Sequence, residues 1–218
     1  MIIDKVFKLV DIIAAKDEST GYISSEEKER LGDMAQAKLL DSYLGSKNDS
    51  SSINHESVSD FKKEVYLNVI SGVVTKPTDF RLFQTASYVN TSNKGLQFVP
   101  FEELRSDEWN WRINSDLDRP DKDFPALTVR DGIILIEPNT LSSVKMYYIF
   151  NPPDIEWKFT VVNGRKVYTD TGTVDFTFGE DEVENLVYAM LELAGVSFRE
   201  SDIVQYAMTE SNRTSQVS

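Results

Sequence analysis

The chain has 218 residues, 40% of them hydrophobic and 11% aromatic, so it can bury a core and is not disordered as a whole. It contains no cysteine, which excludes disulfides, thiolate metal sites and cysteine nucleophiles. The net charge of −13 opposes binding to the phosphate backbone of nucleic acids, because such binding requires basic side chains. The same acidic charge suits a surface that DNA passes without adhering.

The N-terminal part of the chain is predicted to be helical. Apolar residues at helical spacing predict a first amphipathic helix that buries Ile3, Val6, Phe7, Val10 and Ile13. Charged residues interrupt this run, so it is neither a signal peptide nor a membrane span, and we expect a cytoplasmic protein. A second helix is predicted from about Ser24 to Leu44, with Gly45 as its end and with Leu31, Met34, Ala35 and Leu39 facing inward.

The stretch KDESTGYISSEE, Lys16 to Glu27, has the glycine and final glutamate spacing of an EF-hand calcium loop. Lysine occupies the first ligand position, however, where a carboxylate has to bind the ion. A turn at Gly21 followed by a capping box of Ser24 and Glu27 explains the same residues without a metal. We therefore predict that calcium and chelators leave the stability of the protein unchanged.

A polar, serine-rich stretch from Gly45 to Asp60 is predicted to be a loop or linker. It contains the only histidine, His55, which we expect to be solvated rather than to act as a catalytic base or metal ligand. A third helix is predicted from about Ser59 to Ile70, with Phe61, Val65, Tyr66 and Val69 facing the core.

After Gly72 the composition favours β-structure, because β-branched and aromatic residues alternate with proline and glycine. Strands are predicted at Phe80 to Val89, Leu96 to Val99, Ala126 to Val129, Ile133 to Glu137 and Val144 to Phe150, and a short helix around Phe101 to Ile113. One member of each aromatic pair, Trp109/Trp111 and Tyr147/Tyr148, is expected to face the core.

The aspartates of SDLDRPDKDFP leave open an oxygen-only metal site or an acid/base pair, although acidic loops of this kind are usually exposed turns. They are Asp116, Asp118, Asp121 and Asp123. No glycine-rich phosphate loop is present in the sequence, and we predict no cofactor, metal or catalytic residue.

The segment EWKFTVVNGRKVYTD predicts a β-hairpin, since Asn163 and Gly164 suit the two positive-φ positions of a type I′ turn. Such a hairpin could reach a neighbouring subunit or simply be the edge of a sheet. The next helix is predicted to begin at the acidic residues 180–182, to end at Gly195, and to bury a stripe of Val183, Leu186, Val187, Met190, Leu191 and Ala194. A last short helix, about Arg199 to Met208, precedes a polar tail.

These elements predict an α+β protein in which a helical bundle of N- and C-terminal segments carries an inserted antiparallel β-rich domain. The predicted parts are a helical region 1–73 with a flexible loop at 45–58, the β-rich insertion 74–178 with the hairpin, a C-terminal helix pair 179–208 that packs on the N-terminal helices, and the tail 209–218.

Four longer phrases resemble a family of structural proteins from tailed phages. They are VFKLVDIIAAKDESTGYISSEE, FVPFEELRSDEWNWRINSDLDRP, NPPDIEWKFTVVNGRKVYTDTGTVDFTF and ENLVYAMLELAGVSFRESDIVQYA. The chain is similar along most of its length to the head-to-tail connector, or neck ring, proteins of crAss-like and related Bacteroidetes phages. The segment KNDSSSINHES departs from this pattern in length and composition.

The resemblance implies a non-enzymatic virion protein, assembled in the host cytoplasm, that forms a ring of about twelve copies below the portal. Its implied partners are copies of itself, the portal and other neck or tail proteins, while DNA passes through its channel without specific binding and no membrane is involved. We expect the subunit interface to include Trp157, Phe159, Asn163, Gly164, Val167, Tyr168, Val204 and Tyr206. Two other interpretations are a soluble carbohydrate- or ligand-binding β module and a carboxylate-dependent hydrolase.

Overall fold

The computed structural model describes residues 2–14, 23–45, 58–92 and 95–198. Over these ranges it is a mixed α+β structure with four α-helices and several antiparallel sheets, which confirms the predicted class. The helices are α1 (Ile2–Ala14), α2 (Ser25–Leu44), α3 (Ser106–Arg112) and α4 (Val183–Phe198). The strands are β1 (Lys62–Asn68), β2 (Val73–Thr75), β3 (Phe80–Ser92), β4 (Gly95–Pro100), β5 (Glu102–Glu103), β6 (Ala126–Val129), β7 (Ile133–Glu137), β8 (Ser143–Phe150), β9 (Phe159–Val162) and β10 (Arg165–Tyr168). Four predictions lie outside the described residues: the turn at Gly21, most of the flexible loop 45–58 with His55, the last short helix and the polar tail.

The described residues form two compact units. The first combines those within Met1–Asp60 and Pro152–Ser218, and the second is Phe61–Asn151. These bounds differ from the predicted insertion 74–178, because β1 belongs to the second unit and the β9–β10 hairpin belongs to the first.

Helix α4 contacts both α1 and α2 within the first unit. The six residues of its predicted apolar stripe are all buried, as expected for a helix whose apolar side chains recur on one face. The prediction that this helix ends at Gly195 is wrong, because α4 continues to Phe198. The acidic residues Glu180–Glu182 form a 3-10 turn that leads into α4.

Helix α1 buries Ile3, Val6, Phe7 and Val10, as the apolar spacing predicts, whereas Ile13 near its end is only half-buried. A distant carboxylate caps its N-terminus, since the backbone amides of Ile2 and Ile3 donate to Asp175 at 3.0 and 2.7 Å. A negative charge at this end stabilises a helix, because the first amides have no partner within it. The cap joins the start of the chain to the segment that precedes α4.

Helix α2 begins at the predicted capping box. The Ser24 side chain accepts from the Glu27 amide at 3.2 Å, and the Glu27 carboxylate accepts from the Ser24 amide at 2.8 Å. Gly45, with a φ of 69°, ends the helix as predicted.

The predicted inward face of α2 is partly wrong. Met34 is 56% exposed, whereas the buried residues are Ser25, Lys28, Gly32, Ala35, Gln36 and Leu40. The reason is that the side chains of Glu29, Asp33 and Gln36 accept hydrogen bonds from the backbone amides of Trp157, Ile155 and Thr177 at 2.7 to 2.8 Å. Polar α2 side chains therefore satisfy the backbone of a segment with little regular structure.

The second unit consists of two four-stranded sheets that share one core. Their strand orders are β1-β8-β3-β4 and β2-β7-β6-β5, with all pairs antiparallel except β5 with β6. The core includes Val144, Met146 and Tyr148 from the first sheet and Ile134 and Ile136 from the second. Buried side chains on alternate residues of each strand produce this arrangement.

The predicted helix from Ser59 to Ile70 is wrong. Only Ser59–Phe61 is helical, as a 3-10 turn, and Lys62–Asn68 is strand β1, which pairs with β8. The apolar residues of this segment fit the two-residue period of a strand as well as the period of a helix. Val65 and Leu67 pack on the core, while Tyr66 between them is exposed. Pairing with β8 decides between the two patterns.

The predicted helix from Phe101 to Ile113 is too long, since α3 covers only Ser106–Arg112. The amides of Phe101, Glu102 and Leu104 donate instead to backbone carbonyls of β3 and the β6 region at 2.8 to 2.9 Å. The five predicted strands are confirmed; β3 is three residues longer at its end, β8 one residue longer at its start, and β4 one residue longer at each end.

Candidate interaction surface

The predicted Asn163-Gly164 hairpin is confirmed. Strands β9 and β10 are antiparallel, with Val162 opposite Arg165 and Phe159 opposite Tyr168. Asn163 and Gly164 have φ angles of 52° and 75°, the positive values that a type I′ turn requires. The two strands form a sheet of their own, and the described residues contribute no third strand to it.

All four residues of β9 are exposed, including three large apolar side chains, those of Phe159, Val161 and Val162. Val161 is 65% exposed and Val162 is 51% exposed, and Val167 on β10 is also exposed. An isolated two-stranded hairpin is marginally stable in water, and apolar side chains of this size are normally covered. The hairpin therefore presents both unpaired backbone and uncovered apolar surface.

The base of the hairpin is attached to the N-terminal helices through Trp157. Its backbone amide donates to Glu29 at 2.7 Å, and its indole nitrogen donates to Asp4 at 3.4 Å. Its ring lies 6.1 Å from the ring of Phe7 and 5.2 Å from that of Phe159. These contacts hold one end of the hairpin while its turn stays exposed.

Lys166 holds the middle of β10 to the same helical region. Its ammonium donates to the Ser25 hydroxyl at 2.9 Å and lies 4.3 Å from the centroid of the Phe159 ring. Directly opposite residues of a hairpin share a face, so Lys166 and Val161 lie on one face and Val167 and Thr160 on the other.

The predicted interface residues thus have different roles. Trp157 is half-buried and attaches the hairpin, while Asn163, Gly164 and Val167 are exposed. Tyr168 is half-buried, and desolvation, followed by a hydrogen bond to Asp170, raises the pKa of its hydroxyl to about 12, so it stays protonated at neutral pH. Val204 and Tyr206 lie outside the described residues.

Sequence reasoning missed Val161 and Val162, which are among the most exposed apolar side chains of the hairpin. The signal was present, since FTVV contains no charged residue and a strand of this kind usually lies inside a sheet. Only the strand pairing shows that β9 has a free edge.

A second exposed aromatic surface lies on the outer face of the β1-β8-β3-β4 sheet. The Lys145 ammonium lies 5.0 to 5.6 Å from the ring centroids of Tyr66, Phe98 and Tyr147 and 3.0 Å from the Glu64 carboxylate. Hydrogen bonding to Tyr147, and then to Glu64, raises the pKa of Lys145. The space between the three rings is thus occupied by a side chain of the protein itself.

The other predicted aromatic pairs and the acidic loop lie elsewhere in the second unit. Trp109 and Tyr148 are buried and Trp111 is exposed, so each aromatic pair is divided as predicted. In the acidic loop, the Asp121 side chain accepts from the amides of Asp123 and Phe124, both at 2.8 Å. Within the ranges described above, no three acidic, histidine or cysteine side chains are placed so that they could hold a metal ion.

None of the helices in the described ranges is both long enough and apolar enough to cross a lipid bilayer. Comparison of the chain with models of known protein families found no match, and comparison with curated proteins found none either.

Proposed function

We propose that the protein is a structural virion component that forms a homo-oligomeric ring in the neck of a tailed phage, between the portal and the tail. The observation that carries this proposal is the β9–β10 hairpin, which is attached at its base through Trp157 and is exposed all along β9 and at Val167 of β10. A projecting hairpin with a free edge suits a contact with a neighbouring copy. The sequence resemblance supports the same role.

The first unit supports the proposal in a second way. We propose that its N- and C-terminal helices act as one bundle that docks on the portal; the contacts of α4 with α1 and α2 support this. The Asp175 cap joins the two ends of the chain in the same unit. Acidic side chains that line a channel repel the phosphates of DNA, so that the DNA does not bind to the channel while it passes. The net charge of −13 is consistent with such a channel.

The first test is the assembly state of the full chain. We expect negative-stain electron microscopy and light scattering of the purified protein, alone and mixed with the portal of the same phage, to show closed rings. A chain that stays monomeric at high concentration and never joins the portal contradicts the proposal.

The second test asks whether the hairpin takes part in ring formation, by placing a charge on its exposed apolar surface. Val162→Asp is expected to reduce ring formation, because it places a carboxylate on an apolar contact surface. The matched control is Leu117→Asp, since Leu117 is 95% exposed in a loop of the second unit and is expected to tolerate the charge. As dissociated single chains, both variants should unfold at the same temperature as the dissociated wild type, because neither side chain is buried within one copy.

Among the described residues, the outer face of the β1-β8-β3-β4 sheet favours a ligand-binding module instead. Tyr66 and Phe98 are exposed there, as in surfaces that stack on sugar rings. Lys145 already occupies the space between these rings, which weakens that alternative. A monomer that binds glycans, and loses binding on Tyr66→Ala, would support the ligand-binding role.

A further inference from the structure

The strands that end each sheet differ in how well their free edges are protected from pairing with another chain. Exposed edges are usually guarded by charges, by proline or by short length. Strand β1 begins with Lys62, Lys63 and Glu64, and β2 and β5 are only three and two residues long. Strand β4 is different, because GLQFVP has six residues, no charge, and its single proline at the last position.

Strand β9 has the same unguarded character. Its sequence, FTVV, has no charge, and the edge opposite β10 has no partner among the described residues. The neighbouring strand β10 carries Arg165 and Lys166. The part of the chain that the structure describes therefore contains two uncharged strand edges without a paired strand, β4 in the second unit and β9 in the first.

We propose that β9 of one copy adds to the free edge of β4 in a neighbouring copy, so that the hairpin extends the four-stranded sheet of its neighbour. This inference rests on the proposed ring, and it names the surface on which the hairpin docks. The contact uses different surfaces on the two copies, and a repeated contact of this kind closes into a ring when the rotation between copies allows it. Backbone hydrogen bonds along the new pair supply affinity, and side chains supply register.

Charge supports a second copy as the partner. Residues 158–168 contain three basic residues and no acidic one, although the whole chain carries −13. Strand β4 leads within two residues into the exposed Glu102 and Glu103 of β5. Two of these charges are already paired within the chain, Lys158 with Glu156 at 2.6 Å and Glu102 with Arg112 at 2.8 Å. In the proposed contact the remaining opposite charges, Arg165 and Lys166 on the hairpin and Glu103 beside β4, favour the correct pairing between otherwise repelling copies.

Apolar side chains support the same pairing. Phe98 on β4 is 56% exposed, and Val161 and Val162 on β9 point to opposite faces of their hairpin. The hairpin can join the β4 edge with either of its faces on the Phe98 side. In both orientations, one of the two valines lies on the same face of the extended sheet as Phe98. Aromatic and β-branched residues on neighbouring strands are favourable cross-strand pairs.

Because the sequence contains no cysteine, any disulfide seen in a cross-linking test must join introduced cysteines. Directly opposed residues of antiparallel strands lie close enough to form a disulfide. We would prepare Gln97→Cys and Phe98→Cys chains, and separately Thr160→Cys and Val161→Cys chains, and mix them in all four combinations under mild oxidation. Mixing singly substituted chains ensures that a β4–β9 cross-link joins two copies.

The expected result is a disulfide-linked heterodimer in at least one combination. In the control, Thr75→Cys on the β2 edge replaces the β4 cysteine. We expect about tenfold more product with the β4 cysteine than with this control, because only close thiols are oxidised efficiently. Using both Gln97 and Phe98 protects the test if Phe98→Cys disturbs the fold. Rings seen by microscopy without any β4–β9 cross-link would overturn this inference and leave the proposed function standing. A β4–β9 cross-link in a protein that forms only dimers would support the inference and contradict the ring.

Discussion

Two glycines with similar backbone angles differ sharply in their surroundings. Gly72 and Gly132 have φ angles of +78° and +72°, which L-residues adopt at a cost. A Cβ atom at Gly72 would lie 2.8 Å from the carbonyl oxygen of Ile136, whereas one at Gly132 would have no neighbour within 4 Å. The two positions therefore separate the cost of backbone strain from the cost of a steric clash.

We predict that Gly72→Ala lowers the free energy of unfolding by more than Gly132→Ala, by on the order of 1 to 3 kcal/mol, because overpacking adds to the strain. The Ile136 carbonyl cannot move freely, since it belongs to a strand paired with β6. Urea denaturation of both variants and the wild type measures the difference. Equal costs at the two glycines would contradict the packing described here.

At the scale of single elements, the start of α2 depends on Ser24 and Glu27. We predict that Ser24→Ala lowers the free energy of unfolding by about 1 kcal/mol, as for other lost N-caps. Glu27 adds a pH dependence, because its hydrogen bonds from the backbone and then the side chain of Ser24 lower the pKa of its carboxyl below the ordinary 4.5.

The sign of this dependence follows from the lowered pKa. The folded state binds the Glu27 proton less tightly than the unfolded state does. The stabilisation that the ionised Glu27 carboxylate contributes is therefore fully present above the ordinary pKa and is lost as the pH falls through the lower pKa of the folded state. We therefore expect wild type to exceed Glu27→Gln in stability at neutral pH and to lose that advantage in acid. A difference that grows in acid would contradict the capping role, and urea denaturation across the acid range measures it.

At the scale of the whole molecule, the second unit is one continuous segment with its own core. Its ends lie together, because Lys62 at the start of β1 pairs with Ile149 near the end of β8. We predict that residues 61–151 fold alone, with a β-rich circular dichroism spectrum and a cooperative urea transition. The matched control is residues 61–142, which lack the central strand β8 and are expected to remain unfolded; an unfolded 61–151 would contradict the prediction.

Features that depend on neighbours in the chain could be predicted from the sequence alone. The Ser24–Glu27 capping box, the Asn163-Gly164 turn and the buried stripe of α4 were all predicted at the correct residues. Their physical causes are local, since a cap, a positive φ and a helical period each depend on residues within a few positions. For the candidate site, this was enough to locate the hairpin.

Tertiary structure decided the features whose partners lie far along the chain. Lys62–Asn68 fits both periods and becomes a strand because β8 provides the hydrogen bonds. Helix α2 buries Gln36 rather than Met34 because the amide of Thr177, distant in the sequence, requires an acceptor. The exposure of Val161 and the free edge of β4 are likewise set by strand pairing, because whether an edge is covered depends on which strands meet in space and not on the residues within either strand.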